Sequence, residues 1–599
     1  MKLLRFEFDC SRQVPWYGHL CNQYLNYQSL TLTTGIEIVR PDPEAQALQL
    51  PIVWRYFIEA EGEQANLEAL ANSLAQDFLL STYLLDSRII AVKQRQGTDK
   101  PLMGEPASLP FCQHCQPQFG DNMHPHFGQL TLACDHCHGA DAINALPALA
   151  AMQPADLIQF AQQLLNGNSV RLTDTVGTIE LSRSPIAADD CAVLICNPNT
   201  LSQQFILENR QVLSLSSIEK PLLLLKPHAD LKLAQALLPV GFAATRLQQV
   251  LCELLRVKGV NWIYISGAKR AVFANVLTAD VQVKAQQVSL SNESCGVNVI
   301  EPLHDDVRFG DYVAHASGNR KKPVIETAIS ADTKVWDSTS VINAAECAAL
   351  GLGAEYGTDK NYAVLYFSNQ HDSKILTRDG KGNFSTFITL PRLPKTGAEI
   401  DAIMQQSEYA KVWGKFNETH ADIYQRLLAL DLTSVTQVAS LEALWAVSAV
   451  IVGLQADSPR ALAQAFVAAA MSNRAPNSPR IDFPLTKYAE GVESSFDWAQ
   501  TLGTLVSFRV AGDEDEANLA FAVYDSLADY LANWIERLDV NTGIRCVYLA
   551  GDEFANPVLV KRLSLRLGKN FPMASSQRQD LDGALLATGA LYLRQRRGK

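Results

Sequence analysis

The 599-residue chain is sparing with cysteine (12) and histidine (11), and cationic side chains are outnumbered. Twelve cysteines at this length are too few for a disulfide scaffold. Lys+Arg total 51 against 63 Asp+Glu, a net charge of −12. With a pI near 5.5, that balance argues against a broad nucleic-acid or anionic-membrane surface. Long apolar runs are also missing. The longest, Ala443 to Leu454, falls well short of the ~20 residues that span a bilayer and reads as a buried core helix. Met1-Lys2-Leu3-Leu4-Arg5-Phe6-Glu7 lacks the apolar core and small-residue cleavage site of a secretory signal. Internal repeats and low-complexity tracts are absent. What is present is globular: 47% hydrophobic and 19% charged residues, enough chain for roughly three to five domains. The reading is a cytoplasmic protein with reduced thiols and no membrane association.

Periodicity divides the chain. Ser29 to Val39, Ile52 to Ile58 and Arg88 to Lys93 read as strands, and Asn66 to Phe78 has helical spacing through Leu67, Leu70, Leu74 and Phe78. Gly97 to Pro110, rich in proline and glycine, reads as a linker. Beyond it, Pro154 to Leu165 reads as a helix. The apolar runs Val193–Cys196, Leu222–Leu225 and Val260–Ile265 read as buried strands, with helices over Leu231–Leu238 and Thr245–Val257. The basic stretch Gly318 to Pro323 is a boundary candidate. Further on, Glu516 to Leu538 carries a clean helical face, and the acidic run Asp513–Glu516 at its start reads as a solvated cap. Arg545 to Leu549 reads as a strand, and Pro557–Leu567 and Asp582–Leu593 as helices. The domains expected are 1–96, 97–150, 151–328 and 329–599.

The strongest chemical signal is Cys112-Gln-His-Cys115 followed by Cys134-Asp-His-Cys137. Two residues between cysteines let one tight turn aim both thiolates at an ion, and two such turns close a tetrahedron with no open position. That is a structural zinc site with Cys112, Cys115, Cys134 and Cys137 as ligands. His114, His124, His126, His136 and His138 crowd the segment, which keeps a Cys₃His variant open. The remaining cysteines sit mostly in apolar runs and read as buried free thiols.

This order of modules resembles HypF, the carbamoyltransferase family that matures [NiFe] hydrogenases. Thr31 to Val39 with the following helix is similar to the middle of an acylphosphatase fold. Ala155 to Val170, Lys220-Pro221 with its apolar run, Leu238-Pro239 and Ile265-Ser266-Gly267 resemble a YrdC domain, and His304-Asp305-Asp306-Val307 its exit. Gly353-Ala354-Glu355 looks like the start of an actin-like (ASKHA) domain. Tyr548-Leu-Ala-Gly551-Asp-Glu-Phe554-Ala-Asn556 and Asp582-Gly583-Ala584-Leu585 are similar to that domain's later motifs. The resemblance implies a multidomain α/β and α+β chain: acylphosphatase-like (ferredoxin-like) domain, zinc-finger module, YrdC-like α/β domain and actin-like carbamoyltransferase domain. It also implies carbamoyl phosphate and ATP as substrates, a carbamoyl adenylate, and transfer to a cysteine of a maturation partner protein.

The departures from the family pattern bear on catalysis. Ser11-Arg12-Gln13-Val14-Pro15 replaces the phosphate-capturing loop of an acylphosphatase, and Pro15 lacks a backbone donor. Asn209-Arg210, flanked by Glu208 and Glu219, is what stands in for an Arg/Lys cluster before Lys220. Beyond residue 315 the histidines are His371 and His420, without a His-x₃-His pair. Asp552 and Glu553 follow Gly551 where phosphates would approach. The expectation is lost or altered catalysis, which puts ATP and carbamoyl phosphate in doubt. The alternatives are a non-catalytic zinc-containing scaffold or regulator of metallocentre assembly, and an enzyme using another acceptor. Asn556 and Asp582 read as capping residues before they read as catalytic ones.

Overall fold

The computed structural model describes the chain outside residues 1, 11–12, 40–52, 103–106, 189–190, 229–230, 232–237, 268–271, 277–281, 287–292, 295–305, 320–321, 330–342, 357–360, 488–493, 577–578 and 593–599. It divides into two compact units, Met1–His228 with Leu238–Arg270, and Ala229–Leu237 with Ala271–Lys599.

The first unit opens with β1 (Lys2–Cys10), α1 (Pro15–Tyr24), β2 (Leu32–Val39), β3 (Val53–Gly62), α2 (Gln64–Asp77) and β4 (Leu84–Ala91). The strands form one antiparallel sheet in the order β2-β3-β1-β4, the ferredoxin-like arrangement. Leu67, Leu70 and Leu74 are the buried face of α2, as their spacing predicts. Pro15, which costs a loop a donor, sits in the first turn of α1, where its missing N–H is harmless. Arg12 lies outside the described residues. The start of the expected linker is docked: Thr98 exchanges both backbone hydrogen bonds with Thr34 of β2, at 2.9 and 2.8 Å.

After the cysteine module comes α3 (Pro154–Leu165), then β5 (Val170–Asp174), β6 (Gly177–Ser182), β7 (Ala192–Ile195), β8 (Leu222–Pro227), β9 (Leu238–Gly241), α4 (Arg246–Val257) and β10 (Trp262–Ser266). These strands lie in the order β8-β9-β7-β10-β6-β5. The pairing is antiparallel except between β9 and β7. The helix expected over Leu231–Leu238 falls mostly outside the described residues, and its last residue, Leu238, begins β9.

In the second unit β11 (Asp306–Phe309), β12 (Tyr312–Asn319) and β13 (Lys322–Ile329) form an antiparallel meander. Gly318 and Asn319 end β12, Lys322 and Pro323 open β13, and Asn319 pairs with Lys322. Helix α5 (Ala344–Tyr356) contains Gly353, Ala354 and Glu355. Next come β14 (Tyr362–Tyr366), β15 (Lys374–Arg378), β16 (Phe384–Thr389), α6 (Glu442–Val452), α7 (Glu516–Thr542), β17 (Cys546–Ala550), α8 (Pro557–Leu567), β18 (Met573–Ser575) and α9 (Ala584–Ala590). The sheet runs β16-β15-β14-β17-β18, antiparallel on the β14–β16 side and parallel from β14 through β18. That is the mixed sheet of an actin-like half.

Period-2 alternation sends Ala363, Leu365, Val547 and Leu549 into a core shared with α6 and α7, and Tyr362, Val364, Tyr366 and Tyr548 into one shared with α5 and α9. A strand buried on both faces has to be apolar throughout, as β14 and β17 are. Helix α6 is buried along its whole length, which explains the apolar run there. Among the described residues no helix is long and apolar enough to cross a membrane.

Candidate metal centre and phosphate-loop crevice

The two cysteine turns converge. All four Sγ atoms lie within 4.8 Å of one another. Cys112 Sγ is 3.7 Å from Cys134 Sγ, and Cys115 Sγ is 3.7 Å from Cys137 Sγ. Four thiolates about 2.3 Å from a tetrahedral ion stand roughly 3.8 Å apart, so the cluster could hold a metal ion such as zinc. Local hydrogen bonding builds each turn: Cys112 N–H donates to Cys115 Sγ at 3.4 Å, and His138 N–H donates to the Cys134 carbonyl at 3.0 Å. His138 takes a positive φ of 51° to make that turn. The ligand-capable group is four sulfurs, and the Cys₃His variant is not what the fold assembles.

Arg246, at the start of α4, went unnoticed in the sequence. It is 1% exposed and donates to the carbonyls of Pro110, Leu130 and Leu132 at 2.8, 2.8 and 2.6 Å and to Cys115 Sγ at 3.7 Å. One guanidinium thus ties the first cysteine turn and the segment leading into the second to the neighbouring α/β domain, using the fork of donors that only arginine has. The Cys115 thiol is pushed down by hydrogen bonds from the Cys112 and Cys137 thiols, with Arg246 adding to the effect.

The second site is a crevice in the actin-like domain. β14 and β17 are parallel neighbours, and the loops leaving their carboxyl ends meet, the usual ligand position in an open α/β sheet. Gly551 lies at φ +100°, and a Cβ there would stand 1.9 Å from the Phe367 carbonyl oxygen. Its glycine is thus required by a backbone crossing, which would hold with or without a phosphate. Around it stand three carboxyls, Glu553 buried and Asp552 and Asp582 half-buried. Asp552 accepts from Asn369 N–H at 2.7 Å, and Glu553 from Trp445 Nε1–H at 2.7 Å. Asp582 accepts from the Tyr366 hydroxyl at 2.5 Å and from the Ser368 hydroxyl. Burial pushes Asp552 up to about 6 and both Glu553 and Asp582 up to about 8, with Asp552 raising each of the other two.

Capping accounts for Asn556, whose Oδ1 accepts from Val558 and Leu559 N–H at the start of α8. It does not account for Asp582, because the backbone partner of α9 is Asp580, bonded to Leu585 N–H. Asp515 caps α7 through Asn518 N–H, as the acidic run implied.

In the YrdC-like domain, a cavity of about 240 Å³ is lined by Cys196, Asn197, Gln249, Cys252, Glu253 and Arg256, among others. Its one lining cation, Arg256, is engaged with Glu253 at 2.6 and 2.8 Å. Lys220 lies elsewhere, its Nζ donating to the Ser216 carbonyl at 2.9 Å, and Glu219 accepts from Ser81 Oγ and Thr82 N–H at 2.5 and 2.8 Å. His371 and His420 are not brought together, since His371 sits in the β14–β15 loop against Phe309 and His420 reaches the Arg509 carbonyl.

Comparison with solved structures places this architecture. The crystal structure of full-length HypF in its phosphate- and nucleotide-bound form matches with a TM-score of 0.59 at 11% identity, covering 99% of this chain and 98% of that one. HypF from T. kodakarensis matches with a TM-score of 0.60, also at 11% identity, over 99% and 98%. The chain has the HypF fold. Among curated proteins, Protein HydE of Wolinella succinogenes is 31% identical over 112 residues, 18% of this chain. The matched part spans 20% of that relative's length. No protein-family model matches.

Proposed function

We propose that this protein is a HypF-fold accessory factor of metallocentre assembly, in which Cys112, Cys115, Cys134 and Cys137 hold one structural zinc ion and the ancestral phosphate chemistry is lost or altered. The single observation that carries the reading is the crevice at Gly551. Where an actin-like fold would receive phosphates, buried Glu553 and half-buried Asp552 and Asp582 are bonded to the protein's own donors. Each holds its proton above the ordinary carboxylate range, and a triphosphate would add negative charge beside them. The YrdC-like cavity supports the same view, because its cation is neutralised by Glu253.

A scaffold of this kind keeps the four-module architecture, lies in the cytoplasm with reduced thiols, and acts by binding a maturation partner protein. Purified protein incubated with Mg²⁺, ATP and carbamoyl phosphate is expected to release no AMP or pyrophosphate above background, and calorimetric titration of ATP to show no binding heat. AMP release in proportion to enzyme would overturn the proposal and restore a carbamoyltransferase.

A further inference from the structure

Beside the thiol cluster lies a second group of ligand atoms that the cysteine spacing does not explain. The third residue of each cysteine turn is a histidine, His114 in one and His136 in the other. The turns face each other, so these two rings stack with centroids 3.9 Å apart and an interplanar angle of 14°. Asp77, the last residue of α2, points at the same spot, its Oδ1 3.0 Å from His114 Nε2. One ligand atom from each of the three lies within 4.8 Å of the others.

The surroundings orient the Asp77 carboxylate and the backbone that carries the two histidines. Asp77 Oδ2 accepts from the Tyr24 hydroxyl at 2.7 Å. The His136 carbonyl accepts from Gln23 Nε2 at 3.1 Å, and the His114 carbonyl from Gln118 Nε2 at 2.9 Å. The Tyr24 bond holds the Asp77 side chain in place, as outer partners of metal ligands do, while the two carbonyl bonds hold the backbone of the cysteine turns. Asp77 is also at the wrong end of its helix. A carboxylate in a last turn meets the negative end of the dipole, and no basic residue occupies that turn. A cation at the site would relieve this.

We propose that Asp77, His114 and His136 form a second metal site, open to solvent and separate from the four thiolates, for a divalent first-row transition ion. Two imidazoles and a carboxylate suit nickel, cobalt or zinc better than magnesium or calcium. Three protein ligands leave coordination positions for water or a further ligand, as in exchangeable sites and unlike the closed sulfur tetrahedron. The ion would join the ferredoxin-like domain to the cysteine module. The inference is independent of whether the Gly551 crevice takes nucleotide.

The test titrates Ni²⁺ into full-length protein already carrying one equivalent of zinc, by calorimetry with metal content measured after dialysis. One further nickel per chain is expected. His114→Ala combined with His136→Ala should abolish it, and Asp77→Asn should weaken it at least tenfold, with zinc staying at one equivalent. Exchanging His124 and His126, the other close histidine pair of the segment, for alanine should leave nickel binding unchanged. If the His114/His136 variant also loses zinc, Asp77→Asn decides alone, because it lies outside the cysteine turns. Absence of nickel binding, unchanged affinity in Asp77→Asn, or loss of binding in the His124/His126 variant would each overturn the proposal.

Discussion

Replacing Glu553 with glutamine is expected to flatten the pH dependence of stability in the actin-like domain. Glu553 is 6% exposed, and its described partners are the Trp445 indole and the Asn556 amide. Burial raises its carboxyl to about 8, whereas a glutamate in an unfolded chain titrates near 4.3. The sign follows from proton counting. Between those values the folded chain keeps a proton that the unfolded chain has released, so rising pH favours unfolding. The contribution is fully present below about pH 4.3 and is lost by about pH 8, at up to about 1.4 kcal/mol per pH unit. Glutamine keeps the oxygen that accepts from Trp445 and has no proton to lose. Hydrogen exchange of the segments 442–452 and 546–556 at pH 5 to 8.5, corrected for intrinsic rates, reads the local opening free energy. The natural protein should lose about 1.4 kcal/mol more per pH unit than the variant across pH 5 to 7, Asp552 and Asp582 supplying the slope that remains. Identical slopes, or a variant as much weakened at pH 8.5 as at pH 5, would refute the reasoning.

Three further outcomes can be checked. Cys134→Ser should release one equivalent of zinc by mass spectrometry, and unchanged metal content would remove the thiolate assignment. Arg246→Ala leaves three carbonyls without their donor; at about 1–3 kcal/mol for each buried unpaired group, it should lower the melting temperature and speed zinc loss to a chelator, and Arg246→Lys should not restore either. Gly551→Ala forces a Cβ to within 1.9 Å of the Phe367 carbonyl at a positive φ; soluble expression should fall sharply, and a variant that folds normally would show that the loop can move.

Residues near in sequence settled much of this protein. The tight cysteine turns, the helices over Pro154–Leu165 and Pro557–Leu567, and the apolar run of α6 each follow from spacing within one segment, because turn geometry and helical or strand periodicity are local properties. Module order was legible for the same reason, each module carrying its own local pattern. The sites were less so. Asp582 read as a cap until the fold set it against Tyr366 and Ser368, more than two hundred residues away in sequence, and nothing in the helix pattern over Thr245–Val257 marked Arg246 as the residue that closes on carbonyls of the cysteine module. Asp77, His114 and His136 likewise meet only when the end of α2 packs against the cysteine turns. Short-range pattern fixes which backbone groups bond and which side chains are apolar. Which polar groups share one buried volume depends on contacts made across long loops, and those contacts set charge, proton affinity and ligand geometry.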